Sequence, residues 1–546
     1  MKKALCILLS LLLLASLLAG CGAKETASES AEAKPSDSAP AAPEGTAPEG
    51  QPGEAPPDWS GEAPPEGGPG GTPPTGQPGG TPPEGQPGGP GGTPPDGQPG
   101  GPGGTPPGPP PDGNGGPGGT PPEGQPGTPG GMPPGGPGGS GADVDYKGAA
   151  EITEAASRSG ERYASSDTDE SALLIAADAE VELSEPTVTK TGDSAGGDAC
   201  SFYGLNAAVL AKDGARVTIT GGTVSSDAEG ANALFCYGGN GGRNGAAGDG
   251  TSLTVKNTKI RTTGGGSGGI MTTGGGVTYA YDLDVETAGR SSAPIRTDRG
   301  GGKVYVKGGS YVSNGLGSPV IYSTAEVRAE DASLISNLSE GVCIEGKNAM
   351  ELTNCELTAN NSARNGNARF LDSVMLYQSM SGDADSGTSG FTMDGGSLTS
   401  KSGHVFHVTN TNAVITLRGV RIVNEDPAQV LLSVCDDGWS GAGNRATLRA
   451  AAQTLEGTIL VGDNAELTLE LTEGSVFTGS IDGRIVNAAG ETVSSEAGTV
   501  SVTLDESAVW TLTADSYVTE LHGSPANVKA NGFTLYVNGV PLDGTN

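Results

Sequence analysis

From Val181 to Val476 the chain keeps one short rule: an apolar residue is followed by another seven positions later. Val181 leads to Val188, Val217 to Val224, Leu253 to Ile260, Val304 to Tyr311, Val327 to Leu334 and Met350 to Leu357. Phe391 leads to Leu398, Ile415 to Ile422, Leu448 to Leu455 and Leu469 to Val476. The unit from Val277 to Val285 is one residue longer, which a β-bulge would absorb. A fixed spacing demands a fixed bend. Four residues into it stand Gly221, Asn257, Gly308, Asp331, Asn354, Gly395 and Gly419, types that tolerate positive φ. Glu185, Ala452 and Glu473 are the exceptions.

The first member of each pair opens an alternating apolar pattern, as in Val217-x-Ile219, Leu253-x-Val255 and Val304-x-Val306, the signature of a half-buried strand. Ahead of it lies another strand-like centre: Leu173, Val209, Leu234, Ile270, Ile295, Val320, Val342, Val374, Val405, Val430 and Ile459, often 25 residues apart. Ala293-Pro294-Ile295 thus returns as Ser318-Pro319-Val320. The chain comes back because each unit is a coil of three short strands that stacks on the last. Successive coils pair in parallel about 4.8 Å apart, so eleven of them predict a rod roughly 50 Å long.

This pattern resembles the right-handed parallel β-helix of pectate-lyase-like proteins, and the Gly/Asn/Asp corner resembles that family's bend between its second and third strands. The resemblance covers about residues 170–480 and implies an all-β solenoid of eleven or more coils, residues 143–480 with an N-terminal cap. Beyond it, "VSVTLDESAVWTLTADSYVTEL" predicts shorter terminal rungs and a C-terminal cap over residues 481–546.

The other end of the chain is of a different kind. Lys2 and Lys3 precede an apolar run from Ala4 to Leu18, the order of a secretory signal over residues 1–20, and too short for a comfortable membrane span. Leu18-Ala19-Gly20-Cys21 resembles the bacterial lipobox, which implies lipidation of Cys21. Residues 21–142 repeat phrases such as "GGTPPEGQPGGP" without apolar periodicity or strict every-third glycine, which excludes a simple collagen helix. Such a segment cannot offset its ordering entropy and predicts a disordered linker. The expectation is a membrane-anchored lipoprotein displayed outside the cytoplasm at the cell surface, with the lipid as its sole membrane contact.

Charge narrows the partners. With 30 Lys and Arg against 64 Asp and Glu, net −34, there is no basic footprint for nucleic acid. Of seven cysteines, five remain after Cys6 and Cys21. Their odd number and spacing fit neither a zinc site nor a full disulfide framework.

Three gaps between the first and second strands widen to 17–19 residues, at 236–250, 378–387 and 435–445. Leaving one corner of different coils, these loops predict a binding edge. Tyr237, Tyr377 and Trp439 could stack on sugar faces; Asn240, Arg243, Asn244 and Gln378 could bond hydroxyls. Arg296, Asp298 and Arg299 lie on the same edge as a turn with a local ion pair. In the resembled enzymes an arginine abstracts a proton beside calcium, but their longer signatures around it are missing here. Asp383, Asp385, Asp436 and Asp437 offer hard oxygens for Ca²⁺, although no EF-hand series is completed and no cofactor is required. His404 and His407, three apart on a strand, are expected on opposite faces. The expected role is non-catalytic binding of an extracellular polysaccharide. The alternatives are a structural adhesin for protein partners and, third, a polysaccharide lyase.

Overall fold

The computed structural model describes residues 144–545 apart from 242–246 and 367. Cys21, the linker, Arg243 and Asn244 lie outside the described residues. Three long sheets carry almost all of the strands, and every pairing within them is parallel. The first sheet has 15 strands, from Gly148–Ile152 to Val528–Lys529. The second has 14, from Ala156–Ser159 to Glu520–His522, and the third has 10, from Arg162–Ser165 to Arg421–Asn424. Within each sheet, spatial order is chain order, as in a parallel β-helix. The chain visits first, second and third sheets in turn and then begins the next coil.

Alternation puts one apolar column of each sheet inside. In the second sheet Val217, Leu253, Thr278, Val304, Val327, Met350, Phe391, Ile415, Leu448, Leu469 and Val502 stand in register, all buried. Thr278, not Val277, holds the inward place. From Thr278 to Val285 is seven residues, so the extra residue expected in this unit does not exist. The buried hydroxyl is tolerated because Thr278 Oγ1 lies 2.6 Å from Thr272 Oγ1, satisfying both. Tyr279 faces out instead and stacks on Tyr305, centroids 5.2 Å apart.

Three centres of the first sheet also shift. Ile295 pairs with Ile321, Val374 with Phe406 and Phe406 with Leu432, where Val320, Val405 and Val430 were expected. At the bend from the third sheet to the first, two consecutive residues turn inward, so Val320 and Ile321, or Val405 and Phe406, are both fully buried. The true repeat therefore aligns Ser292 through Ile295 with Ser318 through Ile321. Serine is the reason: the amide of Ala231 donates to Ser267 Oγ, that of Ser267 to Ser292 Oγ, and that of Ser292 to Ser318 Oγ, at 2.8–2.9 Å. This buried ladder joins four coils.

The corner that follows each second-sheet strand is left-handed from Glu185 to Glu473. Besides the glycines, Glu185, Asn257, Asp282, Asp331, Asn354, Ala452 and Glu473 have φ between 49° and 55°. The three residues that broke the composition rule obey the geometry.

Two ends differ from expectation. Residues 148–165 form a complete first coil with a strand in each sheet, rather than a separate cap. The third sheet stops at Arg421–Asn424; Thr454–Val461 and Val476–Asp482 are long strands of the first sheet, so the expected third strands at Leu455 and Val476 merge into it. The last rungs enclose Trp510, stacked on Phe477 and bonded through Nε1 to the Gly479 carbonyl at 3.0 Å. A three-stranded sheet of Ser516–Val518, Leu535–Val537 and Val540–Pro541 follows. All five described cysteines are buried and unpaired.

Candidate functional site

The outer face of the first sheet is the unusual surface of this molecule. Its outward column runs Leu174, Leu210, Phe235, Met271, Arg296, Tyr322, Cys343, Met375, His407, Ser433 and Leu460. Apolar residues at one end of such a face must be covered. Residues 191–206, carrying the short helix Ala199–Phe202, bury Leu174, Leu210, Phe235 and Met271 together with Tyr203 and Tyr237. At the other end Phe370 packs on His404 and His407, centroids 5.5 and 4.6 Å away, and joins Cys435 and Ile485. Between these covers Arg296, Tyr322, Cys343 and Met375 floor an open cleft.

The cleft has two parts that share Gly317, Pro319 and Tyr322. The larger, about 330 Å³, is lined by Glu340, Cys343, Asn365, Arg369, Met375, Tyr377, Asp437 and Trp439. The smaller, about 100 Å³, is lined by Asp198, Phe202, Arg296, Asp298 and Asp383. Trp439 and Tyr377 stand with centroids 5.9 Å apart, making one aromatic wall.

Buried polar groups hold this floor in place. Glu345, almost fully buried, accepts hydrogen bonds from Tyr322 at 2.7 Å, Tyr377 at 3.0 Å and Ser381 at 3.3 Å, and a further one from Ser379. Burial first, and the Glu345 charge second, pushes both tyrosine hydroxyls well above their usual range. Arg296 pairs with Asp298 at 2.8 Å. Burial still lifts the Asp298 carboxyl to about 6 against the pull of that arginine. Arg299 bonds Asp383 at 2.6 Å and lies 4.2 Å above the Phe202 ring, stapling the loop at 378–387 to the helical cover. The Arg-Asp-Arg stretch is thus one local ion pair, Arg296 with Asp298, and one cross-link, Arg299 to Asp383 and Phe202, whose partners also line the cleft.

Other predicted residues part company. Tyr237 is only 8% exposed and packs against Tyr203 at 5.8 Å, beneath the cover instead of in the cleft. Gln378 donates to the Ser379 and Ala384 carbonyls, an internal tie of its loop. The Asn240 backbone bonds Gly274, away from the cleft lining. Asp385 pairs with Lys347 at 3.0 Å, and Asp436 accepts from the Gly438 amide at 2.6 Å. Among the described residues, no group of three His, Cys, Asp or Glu side chains converges as a metal ion would need.

His404 and His407 share one face, contrary to expectation. Because Val405 and Phe406 both turn inward, the alternation resets between the histidines. Each Nδ1 lies 2.7 Å from Ser433 Oγ. His407 Nε2 then faces Asp437 Oδ2 at 3.8 Å.

Glu340, Asn365, Arg369, Asp198 and Phe202 escaped the sequence reading, which weighed only gaps between first and second strands. The covers arise between third and first strands, where Val188 to Val209 and Leu357 to Val374 span 21 and 17 residues, against 8–10 elsewhere. That widening was visible.

Comparison with known proteins returns no match to a family model, a curated protein or a solved structure.

Proposed function

We propose that this protein captures an extracellular polysaccharide in the cleft over its first sheet, held at the cell surface by a lipid on Cys21 and a Gly/Pro-rich linker. The observation that carries the reading is the open stretch of outer face between two covered ends, floored by Tyr322 and walled by Tyr377 and Trp439. Aromatic rings with adjoining hydrogen-bonding groups suit sugar rings, which have one apolar face and a rim of hydroxyls. Charge selects among sugars. Glu340, Asp437, Asp198, Asp298 and Asp383 outnumber Arg296 and Arg369 along the lining, which favours an uncharged chain over a uronate.

The test is retention of the full chain on immobilised neutral and uronate polysaccharides, with wild type beside Trp439→Ala. Retention on a neutral glycan that falls at least ~10-fold in the variant is the expected result. Equal retention of both proteins, or retention on uronates alone, would refute the assignment of the cleft.

A further inference from the structure

A site for a polymer is either a groove open at both ends, which grips a chain anywhere along its length, or a bowl that only a chain end can enter. The outer face of the first sheet decides between them, because its strands stack at a fixed step. Arg296, Tyr322, Cys343 and Met375 are consecutive in one outward column. At about 4.8 Å per coil the open floor is roughly 14 Å long.

Beyond Arg296 the column passes under the helical cover. Met271 pairs with Arg296 and is fully buried. Asp198, Ser201 and Phe202 stand at this boundary and line the smaller part of the cleft. Two bonds hold the cover down: Thr273 Oγ1 donates to the Phe202 carbonyl at 2.8 Å, and the Asn232 side-chain amide donates to the Cys200 carbonyl at 3.1 Å. Beyond Met375 the floor ends as well. Met375 pairs with His407, which is fully buried and packs against Phe370. Here the two flanks of the cleft meet. A Cβ at Gly438 would lie 3.2 Å from the Arg369 guanidinium, and the Ala488 amide donates to the Arg369 carbonyl at 2.8 Å.

The flanks themselves are raised. On one side Asn365 stands against Gly317, where a Cβ would collide with the asparagine side chain, and it accepts a hydrogen bond from Arg290. On the other side Tyr377 and Trp439 form the aromatic wall, and Arg299 fixes Asp383.

We infer that the cleft binds the end of a sugar chain, a free terminus or a branch tip, and not an interior stretch. This rests on the polysaccharide reading above. A polymer lying along the rod would have to leave through Phe202 at one end or through the Arg369–Gly438 contact at the other. The space agrees: about 330 Å³ lies at the low end of the range for small-molecule pockets, with room for about two or three sugar units. The two parts divide the ligand between them. Tyr377 and Trp439 in the larger part stack on ring faces. The smaller part, about 100 Å³, equals roughly three waters of the liquid, too little for a whole ring. Lined by Ser201, Arg296, Asp298 and Asp383, it takes the hydroxyls that only a terminal unit leaves free. A pocket built to hydrogen-bond a hydroxyl discriminates strongly against a ligand that lacks it.

The experiment measures binding of the full chain, by calorimetry, to neutral linear oligosaccharides from monosaccharide to hexasaccharide (β-glucan, xylan, mannan and chitin series). The intact polymers and the same polymers after partial hydrolysis are compared in parallel. Expected is an affinity that rises to the di- or trisaccharide and then changes by less than ~2-fold. Binding capacity per gram of polymer should rise in proportion to the ends that hydrolysis creates. Ser201→Phe, which fills the smaller part from the cover, should weaken the trisaccharide at least ~10-fold. The length series needs no variant, so the test stands even where that chain fails to fold. Affinity still climbing ~10-fold from trisaccharide to hexasaccharide, or capacity unchanged by hydrolysis, would overturn end recognition and leave capture standing. Wild-type affinity in a folded Ser201→Phe chain would overturn the part given to the smaller lobe. Binding to no oligosaccharide and no polymer would sink both readings.

Discussion

Ala452 and Gly419 are neighbours in the column of left-handed corners, since Arg418 pairs with Ala451 one residue before them. Their φ values are 49° and 59°. Alanine in this region crowds its Cβ against the following carbonyl, at ~1–2 kcal/mol, whereas glycine does not. Exchanging Ala452 for glycine relieves that strain but adds unfolded-state entropy worth ~0.4–1 kcal/mol. The net gain is about 0.5–1 kcal/mol. The reciprocal Gly419→Ala should lose as much, because a Cβ built at Gly419 meets no atom within 4 Å and only backbone strain remains. A melting temperature is a poor readout: at ~2 cal/mol/K per residue, about 400 residues turn 1 kcal/mol into roughly 1 °C. Native-state amide exchange reads the corner directly, through bonds such as Ala452 N–H to the Thr472 carbonyl at 3.2 Å. Expected is ~2- to 5-fold greater protection around residues 451–473 in Ala452→Gly, and a similar loss in Gly419→Ala. A loss of protection in Ala452→Gly would refute the claim that the corner demands positive φ of whatever residue occupies it.

Acid should act through His404, whose imidazole burial lowers from 6.5 to about 3. The unfolded chain takes up that proton first, so its contribution to stability is full above 6.5 and is lost as pH falls toward 3. At ~1.4 kcal/mol per pH unit this is a few kcal/mol. Asp298 works in the opposite sense: its carboxyl is raised from 3.8 to about 6, so it favours the folded state below 4 and loses that contribution as pH rises through 6. Guanidinium midpoints across pH 3–7 should flatten at the acid end in His404→Gln; an unchanged acid limb would count against the buried imidazole. Trp510→Ala should remove ~3–5 kcal/mol from the last rungs and raise proteolysis there while coils near Val304 stay protected. Equal loosening of both regions would show that the stack unfolds as one unit, contrary to neighbour-only coupling.

What could be read beforehand followed from periodicity, and what could not followed from its interruptions. A seven-residue spacing with a tight corner implies stacked coils whatever residues fill it, so Glu185, Ala452 and Glu473 adopt the same φ as glycine. Apolarity alone misplaced Val277, because a mutually bonded pair of threonines takes the inward place and leaves the larger side chains outside. The same logic missed the inward doublets Val320-Ile321 and Val405-Phe406, where the chain bends within a strand instead of alternating, and so set His404 and His407 on opposite faces. In the cleft, Tyr377, Trp439, Arg296 and Asp437 were legible as polar or aromatic residues on loops. Glu340 and Arg369 were not, since their role depends on which coils lie beside which.

Chain order and stacking order coincide, and this sets how the molecule bears tension. A pull arriving along the chain ahead of residue 144 reaches first the strands Gly148–Ile152, Ala156–Ser159 and Arg162–Ser165, each hydrogen-bonded to a neighbour on one side only. Such a load peels ladder bonds in succession instead of shearing many at once. Five coils precede the strand Ile295–Thr297 that carries Arg296. Tension between that end and the cleft would therefore spend those coils, one after another, before the cleft itself lost its shape.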